Sequence, residues 1–543
     1  MEKTDNISLN ISGVKKANEH ISGALTLTLS AVILKVLGFI YKIPISNLLG
    51  DTGMGYFNTA YTVFSIFYLL CTAGVPKAIT MLVAEAEERG RGGDEKRIVK
   101  VAILSFTIIG AAISALLVLL ADDIALIIGA PKAEFTLLAI APSIIPVALG
   151  SALRGYLGAK MKLLSVAVSQ IIDGVGKLAF GLIFALYAHS LGLRDEIISA
   201  FTIFGVSIGA IASLIYLSVA YKLSNKEEKV RQKQNNKPFS SLELSSRKSI
   251  LKRLFSISIP ITLSSLVMSL GNMIDLGMIM RRLRSTGYSE EEAAEIFGNY
   301  TTLAVPMYNF VISLIVPISI ALLPAISKAF VNCNYDDANR KIRDSLSLSA
   351  FMSAPMVLGL FVFSDLVLEI IFPKSDIKLG ASLLSLLIPA AAIMPILLIA
   401  NSIHEARGRV SVPLIAMLIG SIVKIASGYF LISNDEIGVG GAPIGTVLSY
   451  ALALFISLVF MNKDTKIKLP ILSTHIIPYL NGIISVLVAK NINDGYLAQE
   501  NPISRLLIVI LIAGAIYLIL SILTGVLNPK KLNIRHIKQK SEA

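Results

Sequence analysis

Long apolar runs recur along nearly the whole chain, and they limit its possible folds more than any other feature. We count about fourteen, centred near residues 35, 70, 110, 146, 176, 209, 267, 312, 356, 391, 421, 450, 480 and 515. About 20 apolar residues cross a bilayer as an α-helix, which satisfies its own backbone hydrogen bonds. Only 16% of the residues are charged, well below the share usual in soluble domains. The sequence therefore predicts an all-α integral membrane protein with about 14 transmembrane helices.

The distribution of basic residues predicts the orientation of these helices. With the N-terminus inside, the connections on the cytoplasmic side hold 34 Lys and Arg, and those on the outer side hold eight. The cytoplasmic segments are 1–20, 85–97, 154–162, 222–253, 328–343, 405–409, 463–468 and the tail from 528. Because Lys and Arg concentrate in cytoplasmic loops, we expect both termini in the cytoplasm. The net charge of +13 is then explained by topology, and no nucleic-acid partner is expected.

The order of the apolar runs predicts two lobes of six spans each, followed by two C-terminal spans. Residues 1–221 would form an N-lobe of spans 1–6, residues 222–250 a basic cytoplasmic linker, and residues 251–462 a C-lobe of spans 7–12. Residues 463–543 would hold spans 13 and 14 and the cytoplasmic tail. The lobes resemble diverged copies in parallel orientation, because a shift of 247 residues superposes Lys177 on Lys424 and Gly181 on Gly428.

Several lysines fall inside the predicted spans. A charged side chain at mid-bilayer costs roughly 3 kcal/mol, so it usually faces a bundle interior or a watery cavity. Lys35 and Lys42 are seven residues apart in span one and share a helix face. Lys77 lies toward one end of span two, where snorkelling to the interface is an alternative, and Lys424 lies in span eleven with no acid one turn before it. These four lysines are candidate contacts for an anionic substrate.

Intramembrane acids form a second group of candidates. Asp173 and Lys177 have the i, i+4 spacing of an intrahelical ion pair, which predicts either a neutralised structural pair or an ion-coupling site. Span seven carries Asn272 and Asp275, which could pair with a basic residue or bind a coupling cation. Arg281, at its outer end, is either an interface anchor or a further substrate contact.

The stretch YKIPISNLLGDTGMGYFNTAYTVFSIFYLLCTAGVPKAI and the 6+6+2 pattern of spans resemble a known superfamily, the multidrug/oligosaccharidyl-lipid/polysaccharide exporters. Within it, the chain is similar to the branch of stage V sporulation protein B and the lipid II flippases. Two arginines of that branch correspond to Lys35, in the sequence Lys-Val-Leu-Gly-Phe, and to Tyr41, which Lys42 follows. Lysines in these places would keep attraction for phosphate but lose the bidentate geometry of arginine.

The resemblance implies a flippase of the bacterial cytoplasmic membrane. Its substrate would be an undecaprenyl-pyrophosphate-linked saccharide such as lipid II, carried by alternating access for cell-wall, spore-cortex or polysaccharide synthesis. Expected partners are this anionic lipid, membrane lipids and enzymes of cell-wall synthesis. A cation-coupled multidrug exporter of the same fold is the alternative, and a membrane glycosyltransferase is a third hypothesis.

Enzymatic and cofactor chemistry is not expected. No Gly-rich phosphate loop ending in Lys-Ser/Thr occurs. Cys71 and Cys333 have no metal-ligand spacing. We therefore predict neither cofactor nor metal site, and the coupling ion stays open.

Overall fold

A computed structural model of the chain describes residues 37–38, 41–88, 92–234, 246–409, 411–434, 436–461, 467, 469–497 and 499–527. Some helical side chains, including that of Asn272, lie outside this description. Lys35 also lies outside the described residues.

The described residues contain helices and no strand, which confirms the all-α prediction. The first helix is α1, residues 41–72. The next helices are α2 (Val75–Glu88), α3 (Gly92–Leu119), α4 (Ala121–Ile128), α5 (Glu134–Ile140), α6 (Ile144–Ala159), α7 (Leu163–Ser190), α8 (Asp195–Gln234), α9 (Arg247–Ser285) and α10 (Glu290–Asn299). They are followed by α11 (Val305–Val331), α12 (Tyr335–Val362), α13 (Ser364–Ile371), α14 (Ile377–Leu387), α15 (Pro389–Ala406), α16 (Ser411–Ile432), α17 (Gly441–Met461), α18 (Ile477–Tyr496) and α19 (Pro502–Leu523). Short π-helices cover Tyr300–Ala304 and Leu472–Ile476.

Twelve helical segments of the described chain are long and apolar enough to span a membrane. They coincide with the predicted spans two to six and eight to fourteen. Predicted span one lies mostly outside the described residues, and span seven corresponds to α9, whose side chains are described only in part. The prediction of about 14 spans agrees with this result, and the chain is a multi-pass membrane protein.

Two glycines have special roles in the first described helices. Gly50 has φ of +65°, a left-handed conformation that favours glycine, within the helical residues 41–72. Ala73 and Gly74 then separate α1 from α2. A Cβ on Gly74 would lie 2.1 Å from the carbonyl oxygen of Ser258 in α9, so only glycine permits this close approach.

The described residues form two compact units, one within Met1–Arg281 and Ser289–Gly298, the other within Arg282–Tyr288 and Asn299–Ala543. The first therefore includes most of α9, which contacts α2 through an ion pair of 2.5 Å between Arg253 and Glu85. The two units are defined by which helices pack together, whereas the predicted lobes are defined by the order of the spans along the chain. The lobe boundaries therefore stay predictions. The predicted linker 222–250 is helical at both described ends, in α8 and α9.

Each unit contains a pair of helices packed backbone to backbone. In the first unit, a Cβ on Gly205 of α8 would lie 2.3 Å from the backbone nitrogen of Gly181 and 3.0 Å from the carbonyl oxygen of Lys177. In the second, a Cβ on Gly445 of α17 would lie 3.5 Å from the nitrogen of Gly428 and 3.2 Å from the oxygen of Lys424. Lys177 and Gly181 thus face α8 as Lys424 and Gly428 face α17, which supports the internal repeat.

Gly205→Ala should force α7 and α8 apart, because the added methyl group meets backbone that has nowhere to move. We expect a loss of about 1–3 kcal/mol in stability, the usual cost of overpacking. Gly359→Ala in α12 is the matched control, since a Cβ there meets no atom of the described residues within 4 Å. Thermal unfolding followed by circular dichroism in detergent measures both variants. Equal unfolding temperatures for the two would contradict the packing argument.

Candidate functional site: basic residues of the membrane helices

The residues predicted in spans one and two differ in their surroundings. Lys42, near the start of α1, is half-buried and has an interaction partner within the chain. Tyr41 packs against α7, because a Cβ on Gly181 would lie 2.2 Å from its hydroxyl oxygen. Lys77 lies in the first turn of α2 and is exposed. Of the two positions matched to arginines, the one at Tyr41 is therefore a packing position, and Lys42 is the neighbouring cation.

Lys177 contacts an aromatic ring of α1. Its Nζ lies 5.6 Å from the centroid of the Tyr61 ring and 3.5 Å from the Tyr61 hydroxyl oxygen, to which it donates a long hydrogen bond. Tyr61 belongs to a row of aromatic side chains on α1, with Phe57 stacked on it and Phe64 tilted against it. A lysine over an aromatic face is attracted by the ring quadrupole and keeps its positive charge.

Asp173 is paired with an arginine from another helix. Its carboxylate lies 3.9 Å from the guanidinium of Arg154 in α6, and in the described chain no ion pair within 4 Å joins it to Lys177. Arg154 also donates hydrogen bonds of 3.0 and 2.9 Å to the hydroxyls of Ser169 and Ser213. Its side chain is only 11% exposed, so this pair is largely removed from water.

Arg154 is the functional candidate that the sequence analysis missed. It was assigned to the cytoplasmic segment 154–162, whereas it lies within the candidate span Pro131–Ala159. A local signal was present, because Gly150, Ser151 and Gly155 surround it with small residues. Small residues on a membrane helix permit the close packing that places a polar side chain against neighbouring helices.

The predicted residues of spans seven and eleven are distributed between the units. Asp275 of α9 is half-buried and has an interaction partner. Arg281 is exposed at the end of α9, where Gly129 packs against its side chain. In the second unit, Lys424 is half-buried with a partner of its own. The structure therefore brings Asp173 and Lys177 to one polar cluster and leaves Lys77 and Arg281 at exposed positions.

Arg282, next to the predicted Arg281, has the more specific contact. In the second unit its guanidinium carbon lies 3.5 Å from the centroid of the Tyr429 ring. Its Nε donates a hydrogen bond of 3.3 Å to the Tyr429 carbonyl oxygen. The sequence run Arg-Arg-Leu-Arg did not distinguish these arginines, since the partner is 147 residues away.

The chemistry of these groups suits electrostatic binding of an anion. Lysine ammonium groups are point charges that attract phosphate without a fixed geometry. Within the described part of the chain, no group of three or more His, Cys, Asp or Glu residues is arranged to hold a metal ion. The described arrangement thus offers positive charge and hydroxyl groups.

Comparison with known proteins places the chain in a family. The model of the polysaccharide biosynthesis proteins matches residues 21–330, and the MatE model matches residues 260–430. Stage V sporulation protein B of Bacillus subtilis (strain 168) is 25% identical over 95% of this chain and 97% of its own length. Lipid II flippase MurJ of the same organism is 22% identical over 92% and 95%. A solved structure of lipid II flippase MurJ in an inward closed conformation has a TM-score of 0.69 at 17% identity, covering 92% of this chain and 98% of that one. The chain therefore shares that fold.

Arg282→Ala should lower the stability of the second unit by about 0.5–1 kcal/mol, the usual range for an exposed cation–π contact. Arg281→Ala removes the same charge one residue earlier, where the described residues provide no aromatic partner, and should change stability little. Urea unfolding of the two variants in the same detergent measures the difference. A larger loss for Arg281→Ala would contradict the assignment of Arg282 as the anchored residue.

Proposed function

Since the chain belongs to the polysaccharide biosynthesis protein family, we propose that it is a flippase for a lipid-linked saccharide. Its substrate would be an undecaprenyl-pyrophosphate-linked sugar such as lipid II, moved from the inner to the outer leaflet of the bacterial cytoplasmic membrane. The observation that carries the proposal is the environment of Lys177, whose ammonium lies against Tyr61 while the nearby carboxylate of Asp173 pairs with Arg154. A basic side chain on a spanning helix, with the neighbouring carboxylate in contact with another cation, suits an anionic cargo.

The proposed substrate contacts are lysines. Lys35 and Lys42 would engage the pyrophosphate in span one, with Lys177 one of the further contacts. In the second unit Lys424 is the corresponding candidate. Lys77 and Arg281 are exposed, and we assign them to electrostatic attraction of the lipid rather than to close contact. Asn272 and Asp275 are proposed for pairing or ion coupling.

Transport requires that helix contacts open and close. In the first unit, a Cβ on Gly55 of α1 would lie 2.0 Å from the carbonyl oxygen of Ala294 in α10, and one on Gly298 would lie 2.0 Å from that of Asp51. Such small residues let membrane helices pack at backbone distance. Alternating access is the proposed transport mechanism. The membrane potential, worth about 2.3 kcal/mol per charge per 100 mV, is one available driving force.

A cation-coupled multidrug exporter is the second candidate, favoured by the match of the MatE model to residues 260–430. Such a protein needs a carboxylate available to its cargo or coupling ion. The Asp173 carboxylate has Arg154 as a partner, which weakens this alternative in the first unit. Asp275 keeps it open for α9.

The direct test is binding of undecaprenyl-pyrophosphate-linked sugar to the purified protein, measured by native mass spectrometry. Lys35→Ala with Lys42→Ala should weaken binding tenfold or more, and Lys177→Gln should weaken it by a similar factor, because each removes positive charge from the proposed contacts. Lys490→Ala is the control, since Lys490 is an exposed lysine of α18.

Unchanged binding by both lysine variants would make these residues structural. Absence of binding by the unmodified protein would shift the assignment to another substrate class. A cationic drug that binds instead, and loses binding on Asp275→Asn, would favour the exporter.

A further inference from the structure

The partner of Asp173 is unexpected from the local sequence. Asp173 and Lys177 are four residues apart on α7, a spacing at which opposite charges normally pair. Arg154 of α6 lies 3.9 Å from Asp173, while the Lys177 ammonium lies near the Tyr61 ring and hydroxyl of α1. Two cations therefore compete for one carboxylate, and the contact within 4 Å is made by the arginine.

A network across three helices fixes Arg154 in this place. Its Nε donates to the Ser169 hydroxyl of α7 at 3.0 Å, and another nitrogen donates to the Ser213 hydroxyl of α8 at 2.9 Å. The Ser213 hydroxyl in turn donates to the Ser169 carbonyl oxygen at 2.8 Å. Because a guanidinium presents several donors in a fixed plane, it can bind both serines while it stays beside the carboxylate.

The second unit lacks this arrangement but keeps the lysine. The shift of 247 residues that superposes Lys177 on Lys424 also superposes Arg154 on Asn401, Ser169 on Ala416 and Asp173 on Gly420. The helix ends agree with this shift, since α6 ends at Ala159 and α15 ends at Ala406.

Ser213, the serine of α8, also has no serine counterpart in the second unit. The glycine contacts pair Gly205 with Gly445, and the same spacing pairs Ser213 with Ala453. Ala416 and Ala453 lie in one apolar cluster with Leu397, where the first unit has the two serines. A carboxylate at Gly420 would be excluded, because even a Cβ there would lie 2.8 Å from the Ser449 carbonyl oxygen. Where the acid is absent the arginine and its serines are absent too, whereas the lysine persists.

We propose that Arg154 is a positioning residue, which occupies the Asp173 carboxylate so that the charge of Lys177 stays available to the pyrophosphate of the lipid substrate. This inference rests on the proposed function, and it assigns Arg154 a role in binding without contact to the substrate. One Arg, one Lys and one Asp leave the cluster with a single positive charge, carried by Lys177.

The test compares three variants at temperatures where each is folded. In Arg154→Gln the carboxylate should turn to Lys177, and binding of undecaprenyl-pyrophosphate-linked sugar should fall tenfold or more. Arg154→Lys keeps a cation for Asp173 but loses the planar contacts to both serines. It should bind within about threefold of the unmodified protein although its unfolding temperature falls. A merely structural Arg154 would instead make binding follow stability in both variants. The third variant, Asp173→Asn, should bind at least as well as the unmodified protein, since it removes the competitor for Lys177.

A second readout monitors Lys177 without any substrate. Lysines labelled by reductive ¹³C-methylation give NMR signals, and the Lys177 signal, assigned with Lys177→Arg, should carry the ring-current shift of Tyr61. This shift should disappear in Arg154→Gln and persist in Arg154→Lys and Asp173→Asn. If Arg154→Gln does not fold, a Lys177 signal that moves in Asp173→Asn would overturn the proposal.

The two claims fail in different ways. If the unmodified protein binds no lipid-linked pyrophosphate, the proposed function fails, and the NMR signals alone decide the position of Lys177. If it binds and Arg154→Gln binds equally well, or if the Lys177 signal is the same in Arg154→Gln, the positioning role is overturned while the flippase proposal stands.

Discussion

The cost of a charge inside a membrane helix governs how this protein arranges its polar groups. An ion in the hydrocarbon region costs roughly 3 kcal/mol unless a partner or water compensates it. In the first unit, Arg154 and Asp173 compensate each other, and Ser169 and Ser213 satisfy further donors of the guanidinium. Lys177 lies against the aromatic face and the hydroxyl of Tyr61. The cluster of Arg154, Asp173 and Lys177 thus carries one net positive charge.

Glycines allow close packing of the helices beside Lys177 and Lys424. Gly181 and Gly205 let α7 and α8 meet at backbone distance beside Lys177, and Gly428 and Gly445 do the same beside Lys424. Because a Cβ at these glycines would meet backbone, we expect each lysine-bearing helix to keep its contact with its neighbour. A change of partner by Lys177 then comes from rotation of its side chain, while α7 and α8 stay in contact.

Much of the fold could be predicted from the sequence, because hydropathy and length decide which segments span a membrane. The twelve described spans follow from that signal alone. The partners of the charges could not be predicted in the same way. The spacing of Asp173 and Lys177 suggested a pair within one helix, but Arg154 competes from 19 positions away. Likewise, Arg281 and Arg282 are equivalent in the sequence, and only the distant ring of Tyr429 distinguishes them. Local spacing indicates which charged side chains could pair, whereas the packing of the helices determines which of them are in contact.

The comparison of the two units bears on the choice between an anionic and a cationic cargo. A carrier of cations needs an accessible acid in its spanning helices. Here Asp173 corresponds to Gly420, at a place where the Ser449 carbonyl leaves no room for a carboxylate. Lys177, by contrast, corresponds to Lys424, with the same glycine contact behind it. The feature common to both units is therefore the cation, while Asp173 is accompanied by its own arginine. This pattern agrees with the proposed binding of a phosphate, because Lys177 and Lys424 stand at corresponding places of the two units.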